Sequence, residues 1–369
     1  MKVLIEVDKF QGGAGNIAQI LADNLSHRGY SVTLALTNDP QKLSERRYSL
    51  QNVDLVYMSS VNDSRRFKLF LTLLKNQLKL LRSVKPDIVI SFLTNTNILA
   101  TIAAKHLAIP IIVSERSNPI AIKEKFPWSF LQRITYKRAD IIAVQFDCFK
   151  GFLPNIKCES FRCLPNVVLE NKQPKKDYLN PLGTFNIVAV GNLRQIKNYF
   201  GMLEIVKEAQ RRGMNVKLDI YGTGPQEKEI ESQIASMHLE NLVFLKGHVL
   251  NIHDILPQYD CYFMTSFQEG FPNGLSEAMA SGLPCITYKC HDGFEELIKD
   301  SHNGFLVPFG DVQKFVDNLE HLYEDCCLRA EIGNRAKQIS KKYSIDKVVD
   351  MWVVSIKEVL SRYEQNKRY

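Results

Sequence analysis

The sequence predicts an α/β protein made of two Rossmann-like domains, each with a parallel sheet. Apolar strands, short glycine-rich or polar turns and helices alternate from residue 2 and again from residue 185. A polar segment rich in proline and lysine, 169–184, separates the two runs. The chain has 369 residues and 45% hydrophobic content, which suits two globular domains. We expect domains over 1–168 and 185–345, a linker over 169–184, and a ligand cleft between the two sheets.

The first domain begins with a strand over 2–7, the turn Gln11-Gly-Gly-Ala-Gly-Asn16, a helix over 17–27 and a strand over 30–36. This order predicts a right-handed parallel crossover. The glycine spacing does not match the dinucleotide-binding fingerprint, so the turn by itself identifies no ligand.

Polar loops follow two later strands of this domain, predicted over 86–92 and 109–113. In open α/β sheets, ligands bind beyond the C-terminal ends of the strands. The candidate ligand-binding residues of these loops are Thr94, Asn95, Glu115 and Arg116. Glu115 and Arg116 could equally pair with each other or cap residues 121–125.

A basic amphipathic helix is predicted over 63–85. At 100° per residue its cations form one stripe beside a broad apolar face. The stripe contains Arg65, Lys68, Lys75, Lys79 and Arg82. Residues 1–180 carry 26 Lys and Arg against 15 Asp and Glu, so the basic half of the chain favours an anionic partner. The helix suits an anionic membrane surface, but a solvated basic face is the common alternative.

The remaining bulk features exclude several classes of protein. The chain opens as a strand rather than a secretory signal, and no apolar run approaches the roughly 18 residues of a spanning helix. No nucleic-acid-binding motif is present. We therefore expect a cytoplasmic protein that binds no nucleic acid.

The second domain is predicted to begin with a strand over 185–190 and to continue with strands near 216–220, 243–245 and 259–264. The last strand leads into Glu269-Gly-Phe-Pro-Asn-Gly-Leu-Ser-Glu277 and a helix from Ser276. Free N–H groups and the helix dipole meet at such a turn, which suits a phosphate.

Two carboxylates flank this loop. On a single helix, Glu269 and Glu277 would lie roughly 12 Å apart, wider than the roughly 5–9.5 Å between the paired carboxylates of glycosidases. Each could instead hydrogen-bond a different hydroxyl pair of one sugar nucleotide. The alternative is an ordinary strand-to-helix turn, with Glu277 favourable near the helix N-terminus.

The segment from Glu269 to Pro284 resembles the signature of glycosyltransferase family 4. That resemblance implies the GT-B fold, with two Rossmann-like domains facing across a cleft, and retaining transfer from a nucleotide sugar. It also implies that a C-terminal helix, about 346–369, crosses back to the first domain. The loops at Thr94 and Glu115 resemble those of bacterial polysaccharide-assembly members of the family, which would make them acceptor-binding.

The resemblance assigns roles in donor binding. Glu269 would face the transferred sugar and Lys197 would neutralise the diphosphate. Arg194 would replace the family arginine, whose position holds Asn192. Glu277 would accept the ribose hydroxyls. The other donor-binding candidates are Gly13, Gly222, Thr223, Gly224, Val249, Phe271, Asn273, Gly274 and Leu275, although Gly13 and the Gly222–Gly224 turn could be purely structural.

No Asp-x-Asp motif occurs in the chain, so we expect no metal and no cofactor besides the UDP-sugar co-substrate. The predicted function is transfer of a hexose or N-acetylhexosamine to a lipid-linked acceptor, such as a polyprenyl-diphosphate glycan, or to a surface glycan. The enzyme would lie on the inner face of the plasma membrane. The alternatives are a non-catalytic docking module of the same fold and another GT-B enzyme, such as a sugar-nucleotide epimerase.

Overall fold

The structure is a computed structural model that describes residues 1–10, 12–37, 50–58, 66–121, 127–153, 155–173, 175, 178 and 183–367. The chain divides into two compact units. The first unit comprises Met1–Val167 and Ile345–Tyr369, and the second comprises Val168–Ser344.

The first unit contains a parallel sheet of seven strands. Its strands are β1 (Lys2–Val7), β2 (Ser31–Leu36), β3 (Val53–Tyr57), β4 (Ile88–Phe92), β5 (Ile111–Ser114), β6 (Ile141–Val144) and β7 (Phe161–Cys163). Their spatial order is β3-β2-β1-β4-β5-β6-β7. The register pairs Val3 with Val32 on one side and with Ile88 on the other. Strands β4, β5 and β6 are buried along their whole length, as expected for strands covered on both faces.

The second unit contains a parallel sheet of six strands. They are β8 (Phe185–Val190), β9 (Val216–Tyr221), β10 (Val243–Gly247), β11 (Cys261–Met264), β12 (Cys285–Tyr288) and β13 (Phe305–Val307). Their spatial order is β10-β9-β8-β11-β12-β13. The prediction of two Rossmann-like parallel sheets is therefore confirmed.

Helices connect these strands. They are α1 (Gly12–His27), α2 (Arg66–Val84), α3 (Thr94–His106), α4 (Trp128–Tyr136), α5 (Tyr199–Arg211), α6 (Glu227–Ser236), α7 (Asn273–Ala280), α8 (Val312–Glu324), α9 (Cys326–Ala336), α10 (Gln338–Lys342) and α11 (Ile345–Lys367). None of the helices in the described ranges combines the length and apolar character that crossing a bilayer requires.

Helix α1 begins earlier than the sequence pattern predicted. The glycine-rich segment forms the first turn of this helix instead of a separate loop. The start of the helix packs closely against the preceding chain at Phe10. A Cβ atom on Gly15 would lie 2.1 Å from the carbonyl oxygen of Phe10. Glycine is therefore required at the junction between β1 and α1.

Helix α11 completes the core of the first unit. Trp352 is fully buried, with its ring centroid 5.8 Å from that of Phe92 in β4. Ion pairs of Arg28 with Asp350 and of Arg162 with Glu358 fix the outer face of the helix. Residues at the end of the chain therefore pack on a sheet formed by its beginning.

Each sheet has one point where the strand order reverses. In the first sheet it lies between β1 and β4, and in the second between β8 and β11. The loops that leave neighbouring strands at such a point diverge to opposite faces and open a crevice at the C-terminal edge. The fold thus provides one candidate ligand site in each unit.

Candidate active site

Three turns at the C-terminal edge of the second sheet are joined by backbone hydrogen bonds. The N–H of Leu193, in the turn after β8, donates to the carbonyl of Thr223 at 3.0 Å. The N–H of Gly222, after β9, donates to the carbonyl of Gly247 at 2.8 Å. The predicted donor-binding turns after β8, β9 and β10 therefore form one connected surface.

Glycine is sterically required in two of these turns. Gly222 has a φ of +147°, and a Cβ atom there would lie 1.9 Å from the carbonyl oxygen of Gly191. A Cβ atom on Gly224 would lie 2.4 Å from the carbonyl oxygen of Leu193. The absence of side chains lets the turns after β8 and β9 pack against each other.

Lys197 and Glu269 form an ion pair across the point where the strand order reverses. The Lys197 Nζ atom lies 2.6 Å from Glu269 Oε1, and the side chains are 25% and 10% exposed. Lys197 comes from the turn after β8 and Glu269 from the loop after β11. The two strongest donor-site candidates of the sequence therefore meet at the crevice of the second sheet.

Neighbouring polar residues hold this pair in place. The Ser266 hydroxyl donates to Glu269 Oε1 at 2.7 Å. Asn198 adopts a left-handed conformation with a φ of 52° and caps α5, since its Oδ1 accepts the N–H of Gly201 at 3.2 Å. Its Nδ2 donates to the carbonyl of Thr265 at 3.1 Å. These bonds fix the turn carrying Lys197 to the end of β11.

Helix α7 begins at Asn273 rather than at Ser276, which corrects the predicted helix start. The N–H of Ser276 already donates to the carbonyl of Pro272 at 3.0 Å. A Cβ atom on Gly274 would lie 3.0 Å from the carbonyl oxygen of Val190, so the first turn packs against the end of β8. Asn273, Gly274 and Leu275 therefore belong to the first helical turn, where N–H groups have no acceptor within the helix.

Two buried tyrosines line the base of this region. The Tyr199 hydroxyl donates to the carbonyl of Gly191 at 3.0 Å. Burial raises the pKa of Tyr262 well above its ordinary value, and the carboxylates of Glu269 and Glu277 raise it further. The pKa of this phenol therefore responds to the charge of both candidate carboxylates.

The other donor-site candidates differ in exposure. Asn192, Arg194 and Thr223 are exposed, whereas Val249 and Glu277 are half-buried. The Phe271 ring is buried against Tyr343, with centroids 5.7 Å apart. Gly13 lies in α1, in the first unit. The donor-binding roles of all these residues stay predictions.

Sequence reasoning did not identify Ser266, Asn198 or His291 as part of this region. Asn198 directly precedes a helix, so the capping pattern could have revealed it. Burial lowers the pKa of His291, and the main chain of Gly270 and Glu269 opposes that shift. Ser266 and His291 carry no sequence signal, because their importance depends on contacts with a loop that only folding creates.

The predicted acceptor loops lie at the C-terminal edge of the first sheet. Thr94 and Asn95 form the start of α3, whereas Glu115 is 2% exposed. The Thr94 hydroxyl donates to the Glu115 carboxylate at 3.2 Å, and the Tyr136 hydroxyl donates to it as well. The buried Glu115 carboxylate therefore positions the side chain of Thr94 through this hydrogen bond.

Arg116 is also buried. Its Nη1 donates to the carbonyl of Leu164 at 2.7 Å, and its guanidinium lies 5.4 Å from the ring of Trp352. Burial lowers the pKa of Arg116 to about 9. These contacts tie β5 to α11, and direct acceptor contacts by Glu115 and Arg116 stay predictions. Residues 122–126, which the two side chains could have capped, lie outside the described residues.

Helix α2 exposes Lys68, Lys75, Lys79 and Arg82, and Arg65 lies outside the described residues. Gln77 on the opposite side is buried. Its Nε2 donates to both carboxylate oxygens of Glu6, at 2.6 and 2.5 Å. Burial raises the pKa of Glu6 to about 7, and the bond from Gln77 opposes that rise. The basic stripe therefore faces solvent while a buried polar contact holds the helix to β1.

The described part of the chain contains no group of three or more His, Cys, Asp or Glu side chains suited to holding a metal ion. The geometry of the second unit instead brings together an ammonium, two carboxylates and a helix N-terminus. A cation and backbone N–H groups can bind phosphate oxygens, and carboxylates can accept hydrogen bonds from sugar hydroxyls.

Two family models match the chain. The one described as glycosyl transferases group 1 matches residues 171–339, and the one described as Glycosyltransferase Family 4 matches residues 11–146. Together they cover most of each unit and contain the candidate residues described above.

The chain is also similar to individual proteins. It is 29% identical, over 80% of each chain, to the Campylobacter jejuni α-1,4-N-acetyl-D-galactosaminyltransferase named for the acceptor GalNAc-α-(1→4)-GalNAc-α-(1→3)-diNAcBac-PP-undecaprenol. It is 26% identical, over 95% of this chain and 98% of the relative, to the amylovoran biosynthesis glycosyltransferase AmsD of Erwinia amylovora. Among solved structures, Anabaena HepE in complex with UDP and glucose superposes with a TM-score of 0.80 at 16% identity, covering 97% of this chain and 100% of that one.

Proposed function

Because this chain belongs to glycosyltransferase family 4 and is a transferase of GT-B fold, we propose that it moves a hexose or an N-acetylhexosamine from a UDP-sugar to a glycan acceptor with retention. The acceptor is lipid-linked, as a polyprenyl-diphosphate glycan, or part of a surface polysaccharide. Both the Campylobacter and the Erwinia relatives are named for the assembly of such glycans.

The ion pair between Lys197 and Glu269 carries this proposal. A UDP-sugar has a diphosphate between its sugar and its ribose, and it needs a cation in the middle with hydrogen-bond acceptors for the hydroxyls on both sides. Lys197 supplies the cation at 2.6 Å from Glu269, and Glu277 lies one helical turn into α7. The N-terminus of α7 adds N–H groups for the β-phosphate.

The proposed step is a substitution at the anomeric carbon of the donor sugar. The acceptor oxygen forms a bond to C1 as the bond from C1 to the β-phosphate oxygen breaks, and UDP leaves with the electron pair. The acceptor proton passes to the departing phosphate oxygen on the same face of the sugar, which retains the configuration. Lys197 and the exposed Arg194 stabilise the negative charge that develops on UDP.

Charge neutralisation by side chains makes a metal ion unnecessary in this proposal. The expected result is that transfer continues at the same rate in excess EDTA. Loss of activity that added Mg²⁺ or Mn²⁺ restores would contradict it.

We further propose that the enzyme works on the inner face of the plasma membrane, held there by α2 and α4. Both helices pack against α3 and touch each other through Phe70 and Trp128, whose rings lie 6.1 Å apart. Helix α2 exposes its lysines, and α4 exposes Phe130 and Ile134 beside Arg133. Cations next to exposed apolar side chains suit an anionic lipid surface.

The decisive experiment is a screen of UDP-sugars, first alone and then with a polyprenyl-diphosphate-linked glycan. Slow hydrolysis of one UDP-sugar and its transfer to the glycan are expected. Binding of UDP without any turnover would favour a docking module, and interconversion of the donor sugar would favour an epimerase. The presence of both Lys197 and Glu269 speaks against the docking module.

A further inference from the structure

The crevice of the first sheet contains a cavity of about 510 Å³, within the range of small-molecule sites. We call it the first-unit cavity and define it by Asp8, Leu69, Leu73, Thr94, Asn95 and Trp128. Asp8 follows β1 and Thr94 follows β4, so the cavity lies where the strand order reverses. All these residues belong to the first unit.

The lining of the cavity is amphipathic. Asp8, Thr94 and Asn95 line it with a carboxylate, a hydroxyl and an amide. Leu69 and Leu73 lie one turn apart on α2 and contribute an apolar wall, together with the Trp128 ring. A pyranose ring has hydroxyl groups at its edge and C–H groups on its faces, so it matches this division between polar and apolar surfaces.

The apolar wall is fixed in position. Gln77, one turn after Leu73, also lines the cavity and is held by the buried Glu6 carboxylate at 2.5 and 2.6 Å. At the other end, the Trp128 ring is held edge-on by Phe70. These contacts hold the part of α2 that carries the two leucines against β1. The C–H face of a plain pyranose covers only part of this wall, and an additional methyl group on the ligand removes more apolar surface from water.

We infer that the first-unit cavity binds the terminal sugar of the acceptor and that this sugar is an N-acetylhexosamine. This inference rests on the proposed function. The acetamido methyl group packs on Leu69, Leu73 and Trp128. The ring hydroxyls bond to Asp8 and Thr94. The substrate class is thus an N-acetylated acceptor end, and α2 sets this specificity.

The test uses methyl glycosides as probes, so that it needs neither the donor nor the lipid. The chain has two tryptophans, of which Trp128 lines the cavity and Trp352 is fully buried under α11. A change in tryptophan fluorescence on adding a sugar therefore reports on Trp128. Two probe pairs are titrated: methyl N-acetylglucosaminide with methyl glucoside, and methyl N-acetylgalactosaminide with methyl galactoside. The N-acetylated probe of the preferred pair should bind about 10-fold to 200-fold more tightly than its parent.

Variants distinguish the effect of the apolar wall from the effect of changes elsewhere on α2. Leu73→Asn should abolish the preference for the N-acetylated probe, and Trp128→Phe should remove the fluorescence response. Leu71→Asn is the matched control, because Leu71 lies on the same helix but is 48% exposed and does not line the cavity. If Leu73→Asn does not fold, Leu69→Ala provides the same measurement with a smaller change.

Equal affinity for both members of each probe pair, no response in folded wild-type protein, or the same loss in Leu71→Asn would overturn the inference. UDP-sugar hydrolysis is measured separately in each variant. Hydrolysis without a preference for the N-acetylated probe refutes the inference and leaves the proposed function intact. A preference without hydrolysis or transfer refutes the proposed function and leaves the chemistry of the cavity intact.

Discussion

The ion pair of Lys197 with Glu269 predicts an unusual response to neutralising one partner. In the unliganded protein, Glu269 competes with any incoming diphosphate for the ammonium of Lys197, 2.6 Å away. Glu269→Gln keeps the shape and the bond from Ser266 but removes this competition. Lys197 stays charged and can donate to the amide oxygen, so only the charge–charge attraction is lost. For side chains that are 25% and 10% exposed this costs about 1–2 kcal/mol of stability, more than the roughly 0.2–1 kcal/mol of fully exposed pairs. For the second unit this corresponds to a fall in Tm of about 2–8 °C.

The same free energy becomes available to the ligand. UDP should therefore bind Glu269→Gln about 5-fold to 30-fold more tightly than wild type, although transfer falls by about 10²–10³-fold because the group facing the sugar has lost its charge. Isothermal titration with UDP and initial rates of sugar transfer measure the two effects on the same samples.

The matched control for this prediction is Asp317→Asn. Asp317 pairs with Arg212 at 2.8 Å between α8 and α5 of the same unit, so its replacement gives the same change in net charge. The control should keep wild-type UDP affinity and wild-type transfer. Unchanged or weaker UDP binding by Glu269→Gln would show that the carboxylate does not restrain Lys197, and the reasoning would then be wrong.

Three further results are expected. Replacing both Lys75 and Lys79 by Gln should weaken binding to phosphatidylglycerol vesicles roughly 30-fold at low salt, since each lost cation is worth about 1 kcal/mol. Unchanged flotation with the vesicles would remove the membrane proposal. The pKa of Glu6 is about 7 in the folded protein, against a reference value of 4.5 for the unfolded chain. Between these pH values the folded state binds more protons than the unfolded state. The free energy of unfolding should therefore fall by about 3 kcal/mol as the pH rises from 5 to 8. Urea unfolding of Glu6→Gln at several pH values should show no such fall in stability. If the variant lost as much stability with rising pH as the wild type, the pH dependence would come from another group. Gly224→Ala should push the Leu193 turn away and weaken UDP binding, whereas Gly213→Ala, with a φ of +81° but open space around it, should lose stability and retain UDP affinity.

Much of the fold follows from patterns in the sequence. Strand β8 has the predicted bounds, since Phe185 and the apolar residues 187–190 lie between a polar linker and the turn that begins at Gly191. Helix α2 was predicted from its periodicity, and the structure begins it at Arg66. The start of α7 was predicted three residues too late, because Asn273 and Gly274 are common in loops and their helical conformation depends on packing against β8.

The candidate site was less accessible to sequence reasoning. Glu269 and Lys197 were predicted through a resemblance, but their direct contact depends on two loops far apart in the chain. Glu6 lies within an apolar strand, and nothing in its neighbours shows that Gln77 reaches it. Arg116 was predicted as one of several candidate ligand contacts, and nothing near it in the sequence shows that its guanidinium lies 5.4 Å from the Trp352 ring. Contacts of this kind combine distant segments, and local patterns do not encode them.

The position of Trp352 affects how the protein is synthesised. The first unit needs α11 to bury Phe92 and to cover Arg116, yet α11 is synthesised only after the whole second unit. The second unit, Val168–Ser344, is contiguous and can fold while the chain is still growing. The sheet of the first unit therefore keeps an uncovered apolar surface until α11 has been synthesised. A nascent chain stalled before Ile345 should bind chaperones through this half, although this half was made first.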